Sequence, residues 1–256
     1  MPSFLFTEGD TVTGNKKRLL IGTSALALTA ILIFLLFFYG VFLLNNPSKE
    51  LYPIRGVDVS AHQGVIDWAV LSSQGIEFAF IKATEGSSFI DACFDYNFTQ
   101  AQQNGLRVGA YHFFSYDSPG QTQAENFIEH VEKTEAMLPP VIDVEFYGEN
   151  EKNPPAQAQV RRELDSMMKA LREHYHMDPI LYATERSYQL YIAGAYEECD
   201  IWIRNVVSEP CLSDGRAWTF WQFTNRARLQ GYDGRERYID INVFCGSRQE
   251  FFNYAK

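Results

Sequence analysis

Two acidic residues at the end of an apolar segment are the strongest chemical signal in this sequence. Asp143 and Glu145 close the segment PPVIDVE at positions 139–145. In a β-strand, residues two apart point to the same face, with α-carbons about 6.6 Å apart. Two carboxyl groups this close can take different pKa values, so that one holds a proton while the other stays ionised. The pair predicts cleavage of a glycosidic bond, although the two acids alone also fit a surface salt bridge or half of a metal site.

Further polar and aromatic side chains fall near the ends of other apolar segments. They are Asp58, Tyr111, His112, Tyr182, Trp202, Gln222 and Asp240. The active sites of parallel β/α barrels are built at the carboxyl ends of the strands. We therefore expect these residues to converge with Asp143 and Glu145 on one cleft, whereas purely structural polar residues would be scattered over both ends of the strands.

The elements that must position these residues follow from the order of apolar and amphipathic segments. Eight apolar segments read as strands, at 54–60, 78–83, 107–114, 141–144, 179–183, 201–203, 219–223 and 238–242. Amphipathic segments read as five helices, at 66–74, 94–104, 121–134, 156–176 and 186–192. Alternating strands and helices favour a parallel barrel. We predict an α/β fold, an irregular TIM-like (β/α)5(β)3 barrel whose last three strands lack helices.

The motifs on these elements resemble glycoside hydrolase family 25, the Chalaropsis-type lysozymes. The matching segments lie in the family's order at 56–64 (GVDVSAHQG), 80–86 (FIKATEG), 109–113 (GAYHF), 139–145, 221–224 (WQFT) and 231–242. The resemblance covers nearly all of 54–244. It implies an N-acetylmuramidase that hydrolyses the β-1,4 bond between N-acetylmuramic acid and N-acetylglucosamine in peptidoglycan.

The resemblance also implies roles for four carboxyl groups. Glu145 would be the general acid, and Asp143 the nucleophile or the group that steers the substrate's 2-acetamido group. Asp58 and Asp240 would set the electrostatics of the cleft and bind substrate. The longer Glu145 side chain can reach a glycosidic oxygen, and nearby carboxylates would raise its pKa and keep it protonated. The chemistry requires no metal, and no cofactor motif is visible.

Substrate-binding candidates come mainly from aromatic side chains, since an aromatic face packs well against a sugar ring. Tyr111, Tyr182, Trp202 and Trp221 are candidates for stacking, and core packing explains each of them equally well. Gln222 and His112 are expected to hydrogen-bond sugar hydroxyls or orient an acid, although His112 also fits a structural role. The sequence departs from the family after Trp202, where Ile203, Arg204 and Asn205 stand in place of an expected small residue followed by an aromatic one, which predicts a different wall of the cleft.

The amino-terminal part of the chain is unlike the rest. Residues 19–44 contain no charged side chain and are long enough to cross a bilayer as a helix. A signal peptide has an apolar region of only about 7–15 residues, so we interpret 19–44 as an uncleaved anchor. The basic cluster Lys16, Lys17 and Arg18 predicts a cytoplasmic tail at 1–18. A linker at 45–53 would then join the bilayer to an extracytoplasmic catalytic domain at 54–256.

Composition limits the possible partners and leaves other functions open. The net charge of −10 argues against nucleic-acid binding, which needs a basic surface. Four cysteines outside the cytoplasm suggest disulfides, with Cys199–Cys211 as the favoured pair. The alternatives to a peptidoglycan muramidase are a catalytically silent peptidoglycan-binding protein and a hydrolase of a chitin-like polymer. The sequence predicts no oligomeric state.

Overall fold

The computed structural model describes residues 9–43, 45–135 and 137–255, and the chain divides into two compact units between positions 43 and 44. The first unit contains helix α1 (Gly9–Phe38). Its part from Leu19 to Phe38 has 20 residues, a mean hydropathy of 2.5 and no buried residues. The helix ends six residues before the predicted end of the anchor, because the chain turns at Gly40 with a φ of 64°. Residues 1–8 of the predicted tail and position 44 lie outside the described residues.

The second unit is built on a sheet of nine strands. They are β1 (Arg55–Val59), β2 (Phe78–Glu85), β3 (Phe89–Ile90), β4 (Arg107–Phe113), β5 (Val141–Val144), β6 (Ile180–Thr184), β7 (Ile201–Arg204), β8 (Phe220–Ala227) and β9 (Ile239–Phe244). The sheet closes through the pairing of β1 with both β2 and β9. The two-residue strand β3 pairs only with β2 and stays outside the closed ring. The remaining eight strands confirm the predicted barrel.

The barrel is mixed, and this decides which ends of the strands meet. Seven strands of the ring run parallel, whereas β9 is antiparallel to β1 and β8. The beginning of β9 therefore lies at the same rim as the ends of the other strands. In the register of β1 and β9, Asp240 pairs with Asp58.

Helices cover the outside of the ring. Their bounds are α2 (Trp68–Ser72), α3 (Phe94–Gln103), α4 (Gly120–His130), α5 (Gln157–Tyr175), α6 (Glu185–Ser187) and α7 (Arg248–Asn253). Four of the five predicted helices are present and shorter than predicted, and the one predicted at 186–192 consists of α6 followed by a wider π-helical turn, Tyr188–Ile192. Helix α2 begins where the Asp67 carboxylate accepts a hydrogen bond from the Val70 amide at 3.0 Å. Gly120 allows α4 to approach α5, since a Cβ there would lie 1.8 Å from the Glu163 carbonyl oxygen.

Large apolar side chains fill the interior of the barrel. The buried cluster contains Phe78, Phe80, Trp202, Phe220 and Phe251, together with aliphatic residues of the neighbouring strands. Gly56 makes room for this packing, because a Cβ there would lie 2.4 Å from the Phe78 ring. A barrel packed in this way has no central pore, so its functional groups must lie at a rim.

The predicted disulfide is not formed. All four cysteines belong to the described residues, and all four are free thiols. Cys199 is buried, where the Arg172 guanidinium contacts its sulfur at 3.6 Å, while Cys211 is exposed. Asn97, which lies in a glycosylation-like sequence, is also buried and hydrogen-bonded to the Trp68 indole at 3.2 Å, so it performs a structural role.

Candidate active site

An open cleft of about 720 Å³ lies at the rim where the parallel strands end. Asp58, Asp143, Glu145 and Asp240, the four predicted carboxyl residues, all line it. Asp143 lies inside β5, and Glu145 comes directly after it, so strand alternation brings both acids to the same rim. Asp58 arrives from the end of β1 and Asp240 from the beginning of the antiparallel β9. The structure thus brings together the acids that the sequence separates by up to 182 positions.

Two side-chain amides hold Asp58 and Asp240 in place. The Gln222 amide nitrogen donates to Asp58 Oδ1 at 2.9 Å and to Asp240 Oδ2 at 3.0 Å. The Asn242 amide donates to Asp58 Oδ1 at 2.7 Å. Both amides are themselves oriented, because their oxygens accept hydrogen bonds from the Tyr182 hydroxyl at 3.1 Å and the Trp202 indole at 2.8 Å. The network fixes the carboxylates at the bottom of the cleft.

Burial and mutual repulsion favour the protonated forms of the acids. Burial raises the pKa of Glu145, the Arg204 charge opposes this rise, and the Asp58 charge adds to it. Burial and the neighbouring Glu145 raise the pKa of Asp143 well above its usual range. Burial also raises the pKa of Asp58 and, together with the Asp58 charge, that of Asp240. The carboxyl groups of the cleft therefore hold their protons to higher pH than exposed acids do, which suits a proton donor.

The Asp143 carboxyl group has one oxygen without a protein partner. Asp143 is 6% exposed, and its Oδ1 atom is buried without a hydrogen bond. Among the described residues, it is the only cleft residue with such an orphaned side-chain oxygen. Because a buried acceptor without a donor costs free energy, the site is suited to a ligand that brings an N–H or O–H group to this oxygen.

Three of the four predicted stacking residues form the floor of the cleft. Tyr111, Tyr182 and Trp202 line it, and Trp202 packs between the Tyr182 ring at 4.4 Å and the Phe80 ring at 4.5 Å. Trp202 is only 2% exposed, so it supports the cleft and offers little surface for a sugar. Gln222 also lines the cleft, and its side chain holds the acids as described above.

The other two candidates do not face the cleft. His112 is fully buried, with its two ring nitrogens 2.7 Å from Thr84 Oγ1 and 3.1 Å from Gln123 Oε1. Trp221 is buried on the outer side of the barrel, where its indole donates to the Asn205 carbonyl at 2.8 Å. The expectation that they bind substrate is therefore corrected: each lies next in sequence to a cleft residue, and neighbours on a strand point to opposite faces.

The cleft also contains residues that the sequence interpretation did not select. Half-buried aromatic side chains line it at Phe113, Phe146 and Tyr238. Cations line it at Lys82, Arg186 and Arg204, and Lys82 forms an ion pair with Glu85 at 2.6 Å. Alternation along β4 and β7 was the available signal for Phe113 and Arg204. Tyr238 precedes β9 but shares the alternation of Asp240 in the strand predicted at 238–242, while Phe146 lies beyond β5. Among the described residues, no cluster of three or more His, Cys, Asp or Glu side chains is arranged to hold a metal ion.

Comparisons with known proteins agree with this geometry. The family model described as Glycosyl hydrolases family 25 matches residues 57–232. The structure of a family 25 glycosyl hydrolase from Bacillus anthracis superposes with a TM-score of 0.79 at 54% identity, covering 84% of this chain and 98% of that one. The uncharacterized protein YegX of Escherichia coli K12 is 34% identical over 83% of this chain and 78% of its own length. Lysozyme M1 of Streptomyces globisporus is 31% identical over 76% of this chain and 68% of its own.

Proposed function

The chain belongs to glycosyl hydrolases family 25, and we propose that it is a lysozyme anchored in a membrane by its amino-terminal helix. The reaction is hydrolysis of the β-1,4 bond between N-acetylmuramic acid and N-acetylglucosamine in peptidoglycan. One observation carries the proposal: Asp143 and Glu145 line one open cleft, with the pKa values of both carboxyl groups raised by burial.

Glu145 is the general acid. Its raised pKa keeps a proton available, and its position just after β5 places the carboxyl group at the rim, where a glycan strand can approach. Glu145 gives this proton to the glycosidic oxygen as the bond to the anomeric carbon breaks. The resulting carboxylate then takes a proton from the water that completes the hydrolysis.

Asp143 positions the 2-acetamido group of the muramyl residue. Its orphaned Oδ1 accepts the acetamido N–H, which turns the acetamido oxygen toward the anomeric carbon. In this route that oxygen, rather than Asp143 itself, forms the temporary bond to the anomeric carbon, because Asp143 Oδ1 is engaged by the acetamido N–H. Two displacements at the same carbon give a product that retains the β configuration.

The test uses residues 45–256 and purified peptidoglycan, with chitin as the competing substrate. We expect new reducing ends on N-acetylmuramic acid, and we expect chitin to be a much poorer substrate. Glu145→Gln should lose at least about 100-fold in kcat, which matches the loss of general acid catalysis. Gln249→Glu, at the opposite rim in α7, is the matched control and should keep its activity. Full activity of Glu145→Gln, or new reducing ends on N-acetylglucosamine, would contradict the proposal.

Mass spectrometry tests the role of Asp143. A covalent glycosyl adduct on Asp143, trapped during turnover, would identify that residue as the nucleophile and exclude the acetamido route. Proton NMR of the first products gives the configuration, and an initial α-anomer would exclude both retaining routes.

The membrane anchor is supported by the apolar helix and by the basic cluster before it. The 20 residues from Leu19 to Phe38 span about 30 Å as a helix, the thickness of a hydrocarbon core. Lys16, Lys17 and Arg18 favour a cytoplasmic amino terminus, which places the catalytic domain on the other side.

Fractionation of cells that express the full chain tests the anchor. We expect the intact polypeptide in membranes washed with carbonate, and a reporter fused after the last residue should be active only outside the cytoplasm. Recovery of a soluble protein whose amino terminus lies beyond the helix would instead identify a cleaved signal peptide. Residues 45–256 produced without the helix serve as the soluble control.

A further inference from the structure

Arg204 is a cation inside an acidic cleft, and it has no direct partner. It is the last residue of β7, its side chain is half-buried, and it lines the cleft. Its register neighbours are Thr184 on β6 and Gln222 on β8, which both line the cleft as well. No hydrogen bond or ion pair joins its guanidinium to another described residue.

The other two cations of the cleft are engaged. Lys82 forms an ion pair with Glu85 at 2.6 Å. Arg186 donates to the Glu151 carbonyl at 2.6 Å, and its guanidinium lies over the Phe146 ring at 5.0 Å. Arg204 thus retains its donors for a ligand, and a guanidinium presents them in a planar fork that fits a carboxylate.

The charge of Arg204 works against the acid chemistry of the cleft. It lowers the pKa of Glu145, and it acts in the same direction on Asp58 and Asp240. A lysozyme that needs a protonated Glu145 gains nothing from this effect in the absence of substrate. The position is therefore better explained by a group of the substrate that meets Arg204 in the complex.

The muramyl residue supplies such a group. It differs from N-acetylglucosamine by the lactyl ether on the carbon next to the acetamido group, and this ether carries a carboxyl group or a stem peptide. Asp143, which would engage the acetamido group, lies on β5, two strands away from Arg204 on β7. At the usual strand spacing, this separation is about 10 Å along the rim, within reach of the long arginine side chain and the adjacent ether.

We propose that Arg204 binds a carboxylate carried by the muramyl residue and thereby selects charged glycan strands over neutral ones. This inference rests on the proposed lysozyme function and specifies which part of the substrate is recognised. The carboxylate has two sources, the lactyl group of peptide-free strands and the free carboxyl groups of the stem peptide. Both are recognised by the same ion pair, and the experiment distinguishes them.

The experiment measures KM and kcat for four substrates with residues 45–256. Two are peptide-free strands, with the lactyl carboxylate free or converted to a methylamide, and two are strands with stem peptides, free or amidated. Amidation of the carboxylate that Arg204 binds, lactyl or peptide, should raise the KM of the unchanged protein about tenfold. This is the expected effect of losing one charge-assisted hydrogen bond. Arg204→Gln should raise KM about tenfold on the charged form and less than about twofold on the amidated form.

Two further variants separate recognition from a general effect on the cleft. Arg204→Lys keeps the positive charge but lacks the planar guanidinium. Its KM on the charged substrate should therefore lie between those of the unchanged protein and Arg204→Gln. Arg162→Gln removes one arginine from the exposed surface of α5, where its side chain is 69% exposed, and should behave as the unchanged protein. Thermal unfolding of each variant verifies that it is folded.

Two results would overturn the inference while leaving the lysozyme function intact. One is an equal rise in KM on the charged and amidated substrates in Arg204→Gln, and the other is indifference of the unchanged protein to amidation at both sources. If the unchanged protein cleaved none of the four substrates, the lysozyme function itself would fail, and the inference with it.

Discussion

The Gln222 amide nitrogen donates to both carboxylate oxygens of Asp58, at 2.9 and 3.0 Å. The two residues lie on β8 and β1, which are separated in the ring by β9, so the contact crosses the end of a strand between them. The same nitrogen also reaches Asp240 on β9. One amide therefore joins three strands at the place where the parallel order of the barrel is broken.

Replacing this amide by an acid should make the stability of the protein depend on pH. In Gln222→Glu, the new carboxyl group faces Asp58 and Asp240 in a buried site, so its pKa in the folded state is raised. A raised acid pKa stabilises the fold at low pH, and this contribution is lost as pH rises. We expect Tm to fall by much more at pH 8 than at pH 5, measured by circular dichroism. Gln103→Glu on the exposed side of α3 should show a small and pH-independent change.

Removing the charge of Asp143 should stabilise the protein without substrate. The pKa of Asp143 in the folded protein is well above its usual range. The unfolded chain therefore loses this proton first, and the free energy of unfolding falls as pH rises from the unfolded pKa to the folded pKa. Asp143→Asn has no such cost, and its advantage in Tm over the unchanged protein should grow with pH. Calorimetry resolves this, since about 1 kcal/mol shifts Tm by about 2–4 °C in a domain of this size. An equal advantage at pH 4 and pH 8 would contradict the assigned electrostatics, and kcat should fall in the same variant.

Replacing two charged neighbours of Glu145 should shift the alkaline limb of the pH profile of kcat/KM in opposite directions. The charges that face Glu145 are Arg204 and Lys82, which lower its pKa, and Asp58 and Glu151, which raise it. On an amidated substrate, Arg204→Gln should move the alkaline limb of kcat/KM to higher pH, and Glu151→Gln should move it to lower pH. Shifts in the same direction in both variants would show that another group controls this limb.

His112 should matter for stability and not for catalysis. Burial lowers its pKa to about 4, so the folded protein holds it neutral. His112→Ala removes both of its contacts and leaves a cavity, at a cost of about 2–4 kcal/mol in the free energy of unfolding. The kcat of the folded variant should stay within about twofold of the unchanged value, because His112 does not line the cleft and the activation barrier should hardly change. The exposed His174→Ala is the matched control.

The pH dependence of the same variant has a defined sign. A histidine with a lowered folded pKa contributes stability above its unfolded pKa of 6.5, and this contribution is lost as pH falls toward about 4. The difference in stability between the unchanged protein and His112→Ala should therefore shrink between pH 7 and pH 4. A constant difference over this range would mean that His112 is not buried as a neutral group.

The sequence predicted the barrel well because its signals are local. Every strand of the ring is a short apolar segment, and the acids stand directly at or after such segments, as Asp143 and Glu145 do. No amphipathic segment follows 201–203 or 219–223 in the sequence, so the absence of helices after these two strands could also be predicted. The ends of the helices were less certain: the helix predicted at 121–134 stops at His130, because Val131 adopts an extended backbone with φ −117° and ψ 96°.

The details of the cleft depended on side-chain direction and on loops. His112 and Trp221 were chosen with their neighbours Tyr111 and Gln222, although strand alternation allows only one of each pair to face inward. Tyr238 lies two residues before Asp240 in the strand predicted at 238–242, so alternation was an available signal for it. Phe146 follows the strand predicted at 141–144, and no strand rule applies to it. Arg204 could be found from alternation with Trp202 and from its departure from a family pattern, whereas its lack of a partner depends on the three-dimensional arrangement of the cleft.

The aromatic filling of the barrel limits the routes open to a polymer. Because Phe78, Phe220 and Phe251 occupy the interior, a glycan strand cannot thread from one end of the ring to the other. The strand must instead bind across the open end of the barrel and leave from the same side, so cleavage does not require a free end of the glycan. Such an enzyme can cleave a closed glycan network at any internal bond that its cleft can reach.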